Sequence, residues 1–142
     1  MPIGAFVSSK EIMSTLTFNP ELGHITTFGG HPVSCAAALA SLQIITQDHL
    51  LESIESKGKM IQEKIAGHPK VQEIRRKGLA LGVEIRDDST RKKLTQAALN
   101  NGLITDWYLF HPMTFRIAPP LTITEKEIDD ACSRMLKSLD ES

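Results

Sequence analysis

"LITDWYLFHPMTFRIA", residues 103–118, sets two strand-like runs, LITDW and TFRIA, one after the other with no helical pattern between them. Parallel strands need a crossover, so a consecutive pair favours a mixed α+β layer over a purely parallel sheet. In TFRIA, Phe115 and Ile117 face one side and Arg116 the other. Pro119-Pro120 halts ladder pairing just beyond and leaves the guanidinium near an open strand end. A guanidinium fork suits a carboxylate; the alternative is a surface arginine in a salt bridge.

Outward from this pair the elements alternate. Ser89 opens a helix with Leu94, Ala97 and Ala98 inward, and "NNG" ending at Gly102 stops it. Before it, "GLALGVEI" (78–85) alternates Leu79, Leu81, Val83 and Ile85 with Gly78, Ala80, Gly82 and Glu84. This is a strand with one nearly bare face, against which another backbone can lie closely. Asp48 is a cap for a stripe of Leu51, Ile54, Ile61 and Ile65 that "GHP" ends, and Pro32–Ile45 is an alanine-rich helix. The two pieces read as one long, bent helix. At the start, Ile3–Val7 reads as a strand leading into a short helix with Ile12, Met13 and Leu16 on one face. At the other end Thr124 and Glu127 form a capping box ahead of a buried stripe of Ile128, Ala131, Cys132, Met135 and Leu139.

Composition narrows the function classes. The chain has 142 residues, 41% of them hydrophobic, within the ordinary range for a globular core. Its 16 basic and 17 acidic residues are interspersed, with no basic stripe for nucleic acid. No apolar run is long enough to span a bilayer and no targeting segment opens the chain, so a soluble, cytoplasmic protein is expected. Cys35 and Cys132 lie far apart and are expected as reduced, buried thiols.

The remaining chemistry sits in "HITTFGGHP" (24–32), ahead of the helix "VSCAAALAS". Thr26 and Thr27 offer hydroxyls, Gly29 and Gly30 permit close backbone approach, and a helix start favours negative charge. The pattern fits an anion, a phosphate in particular, or else a loop rich in turn residues. His24 and His31 flank it, and His31 with Cys35 has helical ligand spacing. A third and a fourth ligand are missing nearby, so no metal site is expected. Neither a nucleophile elbow, a Walker loop nor a dinucleotide fingerprint occurs.

Taken together, "MPIGAFVSSKEIM", "HITTFGGHPVSCAAALASL", "RRKGLALGVE", "NGLI" and "FRIAPPLTITEKEID" follow one colinear order. That order resembles the C-terminal portion of class III pyridoxal-phosphate aminotransferases, the group of acetylornithine, ornithine and 4-aminobutyrate aminotransferases. The resemblance implies fold type I: residues 1–45 ending the large cofactor-binding domain, 46–69 a connecting helix, and 70–142 the small C-terminal domain. It implies that Thr27 gives a hydroxyl to the pyridoxal-phosphate phosphate group across a dimer, and that Arg116 grips a substrate carboxylate. Gly78 and Gly82 match structural glycines. Substrates would be an amino acid or ω-amino acid and a 2-oxo acid.

The family's cofactor-bearing lysine would fall before Met1, and Lys10 matches a downstream position at a helix start. No catalytic residue is therefore assigned, and the isolated chain is expected to be inactive. His31 stands where relatives usually have Asn, and Arg76 stands where many have Gly. Such a piece would expose apolar surface along Ile3–Phe6 and the alanine-rich helix, and so form a dimer or larger oligomer. A non-catalytic oligomerisation or interaction module derived from the family is the alternative.

Overall fold

The computed structural model describes residues 2–21, 23, 25–47 and 49–142. His24 and the expected Asp48 cap lie outside the described residues. The chain divides into two compact units, residues 1–48 and 49–142.

In the first unit, α1 (Lys10–Ser14) starts where the Ser9 hydroxyl accepts from the Ile12 N–H at 3.3 Å. Lys10 is thus the first residue of a helix, as its "SSKEIM" context predicts. α2 (Pro32–Gln47) begins on a proline, tolerated because the first turn needs no N–H there. Alanines at 36, 37, 38 and 40 sustain it. Ile3–Val7, expected as a strand, belongs to no sheet among the described residues. A strand exists only through ladder partners, and the pairings observed all lie within residues 71–117. Ile3, Phe6, Val33, Leu39, Leu42 and Ile44 are exposed, as the sequence predicts for this stretch.

The second unit runs α3 (Leu50–Ile65), β1 (Val71–Lys77), β2 (Ala80–Ile85), α4 (Asp88–Asn100), β3 (Asp106–Tyr108), β4 (His111–Ile117) and α5 (Glu125–Asp140). The four strands form one antiparallel sheet in the order β1-β2-β4-β3. This is the α+β class. The 103–118 stretch is indeed a hairpin, although β3 is shorter than LITDW and β4 begins earlier, at His111. Pro112 is accommodated because β2 pairs with β4 only from Thr114 onward, so its missing N–H falls outside that ladder.

Alternation along β2 sends Leu81, Val83 and Ile85 into the core, where they meet Ile61 and Ile65 of α3, Leu94 of α4 and Phe115 of β4. Ile128, Cys132, Met135 and Leu139 of α5 complete it. The Thr124–Glu127 capping box forms, with Glu127 N–H donating to the Thr124 hydroxyl at 3.2 Å. Ala131 is only half-buried.

Four local expectations need correction. His49 has a φ of 51°, a left-handed value no helix interior adopts, so α3 starts as its own helix instead of continuing a bent one. Leu51 is exposed, since the inward stripe of α3 begins at Ile54; Leu51 borders an open groove beside Gly78 and Pro119. The cap of α4 is Asp87, whose carboxylate accepts from Thr90 N–H at 2.8 Å, while Ser89 donates to that same carboxylate. β1 was unanticipated: it is an edge strand with a bulge between Val71 and Glu73, which breaks the period of two.

Candidate functional site

The two sequence-derived positions lie in different units, Thr27 in the first and Arg116 in the second. Thr27 sits in the turn that leads into α2. Gly29 N–H donates to the Thr26 carbonyl at 3.2 Å, His31 N–H to the Phe28 carbonyl at 3.3 Å, and Gly30 has a φ of 71°. The loop is therefore a run of turns needing a glycine at 30. A Cβ at Gly29 would stand 2.6 Å from the Thr26 hydroxyl oxygen, so Gly29 makes room for that side chain. Thr27 is exposed, and among the described residues nothing takes its hydroxyl. Residues 23–34 contain no lysine or arginine, so any phosphate held here must find its counter-charge elsewhere.

Cys35 N–H donates to the His31 carbonyl at 2.9 Å, so this spacing is used by the helix backbone itself. Cys35 is exposed, against the expectation of burial, because α2 is apolar on several sides and cannot bury them all within its unit. Cys132 is buried, and burial pushes its thiol up from the ordinary range. It lines a cavity of about 150 Å³ with Ile61, Ile65, Ile128 and Met135.

Arg116 is the penultimate residue of β4 and projects from the face opposite the core. Across the sheet it belongs to a row in which Arg75 of β1, Gly82 of β2, Arg116 of β4 and Asp106 of β3 are successive partners. Gly82 keeps the centre of that row low: a Cβ there would come within 3.2 Å of the Tyr108 ring and of the Thr114 methyl. The bare face thus receives an aromatic ring. The close backbone approach occurs at Gly78 instead, where Gly58 of α3 packs on its carbonyl.

The two guanidinium groups of the row are held differently. Arg75 Nη1 donates to Glu73 at 2.6 Å and to Glu84 at 2.9 Å, and its Nη2 donates to the Thr114 hydroxyl at 3.2 Å. Glu84 is the main cause of a raised Arg75 pKa. Thr114 in turn bonds His111 Nδ1 at 2.8 Å. Among the described residues the Arg116 guanidinium has one engagement, Nη2 to Asp106 Oδ2 at 3.3 Å, with both side chains about half exposed. The salt bridge weighed for Arg116 from sequence therefore exists, and a fork able to make two parallel bonds makes one long one. Asp106 escaped the sequence reading; its cross-strand register to Arg116 depends on the hairpin's bulge between Trp107 and Tyr108.

Arg76 turns to the helical face. Its Nη2 donates to Glu55 at 2.6 Å and its Nε to Gln62 at 3.1 Å, tying β1 to α3. Among the described residues no cluster of three or more His, Cys, Asp or Glu is arranged to hold a metal, and no helix is long and apolar enough to cross a membrane.

The family model for aminotransferase class-III matches residues 1–139. Among solved structures, an aminotransferase from Bacillus anthracis is 29% identical with a TM-score of 0.76, over 94% of this chain and 34% of its own. An (S)-enantioselective ω-transaminase from Thermomicrobium roseum is 31% identical with a TM-score of 0.75, over 93% and 32%. The ornithine aminotransferase of Toxoplasma gondii, a structure with partial occupancy of PLP at its active site, is 29% identical with a TM-score of 0.72, over 91% and 31%. The chain spans about a third of the length of these structures.

Proposed function

Because this chain belongs to the class III aminotransferases, we propose that it is the C-terminal portion of an enzyme moving an amino group between an amino acid or ω-amino acid and a 2-oxo acid such as 2-oxoglutarate. The observation that carries the reading is Arg116: a guanidinium at a strand end, half exposed, with only one loose bond among the described residues. Such a group can take a carboxylate bidentately, fixing one end of a substrate.

Aminotransferases of this class depend on pyridoxal phosphate, whose ring, when bound, supplies the electron sink for the chemistry. The residues here fit one contact to it. The free Thr27 hydroxyl would donate to a phosphate oxygen, while the absence of a cation in residues 23–34 leaves the principal phosphate contacts to other parts of the enzyme. No residue of this chain is assigned a proton-transfer role.

We read residues 1–45 as the end of the large domain, 46–69 as a connecting helix and 70–142 as the small domain. The division into compact units after residue 48 lies near the first of these boundaries, while the second unit takes in residues 49–69 together with 70–142. A homo-oligomer is proposed from the exposed apolar residues of the first unit.

By resemblance, the cofactor-bearing lysine has no match within these 142 residues, so the isolated chain is expected to show no transamination. The test is to mix it with a separately produced N-terminal portion, pyridoxal phosphate and an amino donor. Amino transfer that needs both parts supports the proposal. A stable complex that remains silent favours a non-catalytic interaction module. Turnover by the isolated chain, lost on Arg116→Ala, overturns the expected inactivity.

A further inference from the structure

We propose that Tyr108 is a positioning residue for Arg116: its ring stands between Arg116 and Glu84 and keeps Glu84 from capturing the guanidinium. The proposal rests on Arg116 as the group that takes a substrate carboxylate.

The register of the sheet creates the need for such a residue. Gly82 of β2 pairs with Arg116 of β4 and Glu84 pairs with Thr114, so these four share the face opposite the core. Glu84 and Arg116 are therefore diagonal neighbours, at a spacing that a long side chain spans. Glu84 is also equipped to receive the arginine. Its side chain is 13% exposed, and Arg75 at 2.9 Å and His111 at 3.6 Å both meet it through Oε2. Oε1 is left for a further donor, since an ionised carboxylate accepts on both oxygens. Yet among the described residues the Arg116 guanidinium turns the other way, toward Asp106 on β3.

The Tyr108 ring accounts for this. It reaches from β3 across β4 to β2, where its Cε2 and Cδ2 stand 3.2 and 3.8 Å from the place a Cβ of Gly82 would take. The Thr114 methyl stands 3.2 Å from the same point. Gly82 and Thr114 are the other two corners of the square, so the ring lies across the path from Glu84 to Arg116. Thr114 is only 1% exposed although it is on the open face, which records how closely that corner is covered. On one side of the ring Glu84 is held by Arg75; on the other, Arg116 stays about half exposed at the strand end. The bulk of the ring makes the separation, and the hydroxyl is dispensable to it.

The test is an NMR titration of the isotope-labelled 142-residue chain with glutarate, following the Arg116 Nε–H signal, which is identified by its loss in Arg116→Lys. A cooperative unfolding transition checks the fold of each variant. Tyr108→Ala removes the barrier and is expected to weaken glutarate binding about two- to fivefold, the span of exposed ion pairs. Tyr108→Phe keeps the ring and is expected to bind as the parent does. Adding Glu84→Gln to Tyr108→Ala removes the capturing charge and is expected to restore parental affinity, which a merely structural role for the ring would not allow. Without glutarate, Glu84→Gln is expected to move the Arg116 signal further in the Tyr108→Ala chain than in the parent. Undiminished binding by a folded Tyr108→Ala chain overturns the proposal and leaves Arg116 as a carboxylate site. Weakened binding that Glu84→Gln does not restore overturns it as well. If Tyr108→Ala does not fold, Tyr108→Val, a strand-forming side chain too short to reach Gly82, is judged by the same results. Glutarate that moves Arg116 in no chain, the parent included, overturns the carboxylate reading of Arg116 and this proposal with it.

Discussion

Gly58 of α3 packs directly on the carbonyl of Gly78 in the β1–β2 turn, and a Cβ at position 58 would overlap that oxygen. Alanine would ordinarily stabilise a helix interior by up to about 1 kcal/mol over glycine. Here the obstacle is backbone, which cannot rotate away, and overpacking of this kind costs about 1–3 kcal/mol. Gly58→Ala is therefore expected to lower unfolding free energy in urea. Gly78 itself has a φ of 54° and lies close to Ile54, so Gly78→Ala should be destabilising as well.

Asp87 gives the fold an acid-sensitive helix start. The Ser89 hydroxyl, then the N–H and hydroxyl of Thr90, hold its carboxylate at about 2, below the ordinary 3.8. A folded-state value below the unfolded one means the stabilisation is fully present above 3.8 and is lost as pH falls through the folded value of about 2. In unfolding measurements across that window, Asp87→Asn should reduce the slope of stability against pH. An unchanged slope would show that Asp87 contributes nothing there.

The two thiols should differ in reactivity. Cys35 is exposed and Cys132 is buried beneath α5, with burial raising its thiol. An aromatic disulfide reagent added to the native chain is expected to titrate one thiol quickly and the second at the rate of local or global opening. Equal rates would contradict the packing around Cys132.

Thr27 is tested by cofactor affinity in the reconstituted enzyme. Loss of one hydrogen bond to a charged group costs about 1.5–3 kcal/mol. Thr27→Ala should accordingly weaken pyridoxal phosphate binding about tenfold or more, and Thr27→Ser should restore most of it. Unchanged affinity in the alanine variant would remove Thr27 from the phosphate site.

Much of this was readable from sequence where pattern and physics coincide. The period of two in β2, the Thr124–Glu127 box and the inward positions Leu94, Ala97 and Ala98 need only local spacing, and each is found. What escaped depends on partners distant along the chain. β1 offers only Val71 and Ile74 to the core, and its bulge hides the alternation. Ile3–Val7 has the composition of a strand but no ladder among the described residues. Arg76 looked misplaced until Glu55 and Gln62 of α3 were seen to receive it. At the candidate site, position 116 and its outward direction were legible, whereas Asp106 was not, since cross-strand register is set by the hairpin and its bulge.

The most direct test of the central claim is kcat/KM of the reconstituted enzyme carrying Arg116→Gln, measured on one donor with a carboxylate and on one amine without. A charge-assisted contact of about 1.5–3 kcal/mol predicts a loss of roughly 10- to 150-fold for the carboxylate donor and little change for the amine. Equal losses on both donors, or none on either, would contradict Arg116 as the residue that holds the substrate carboxylate.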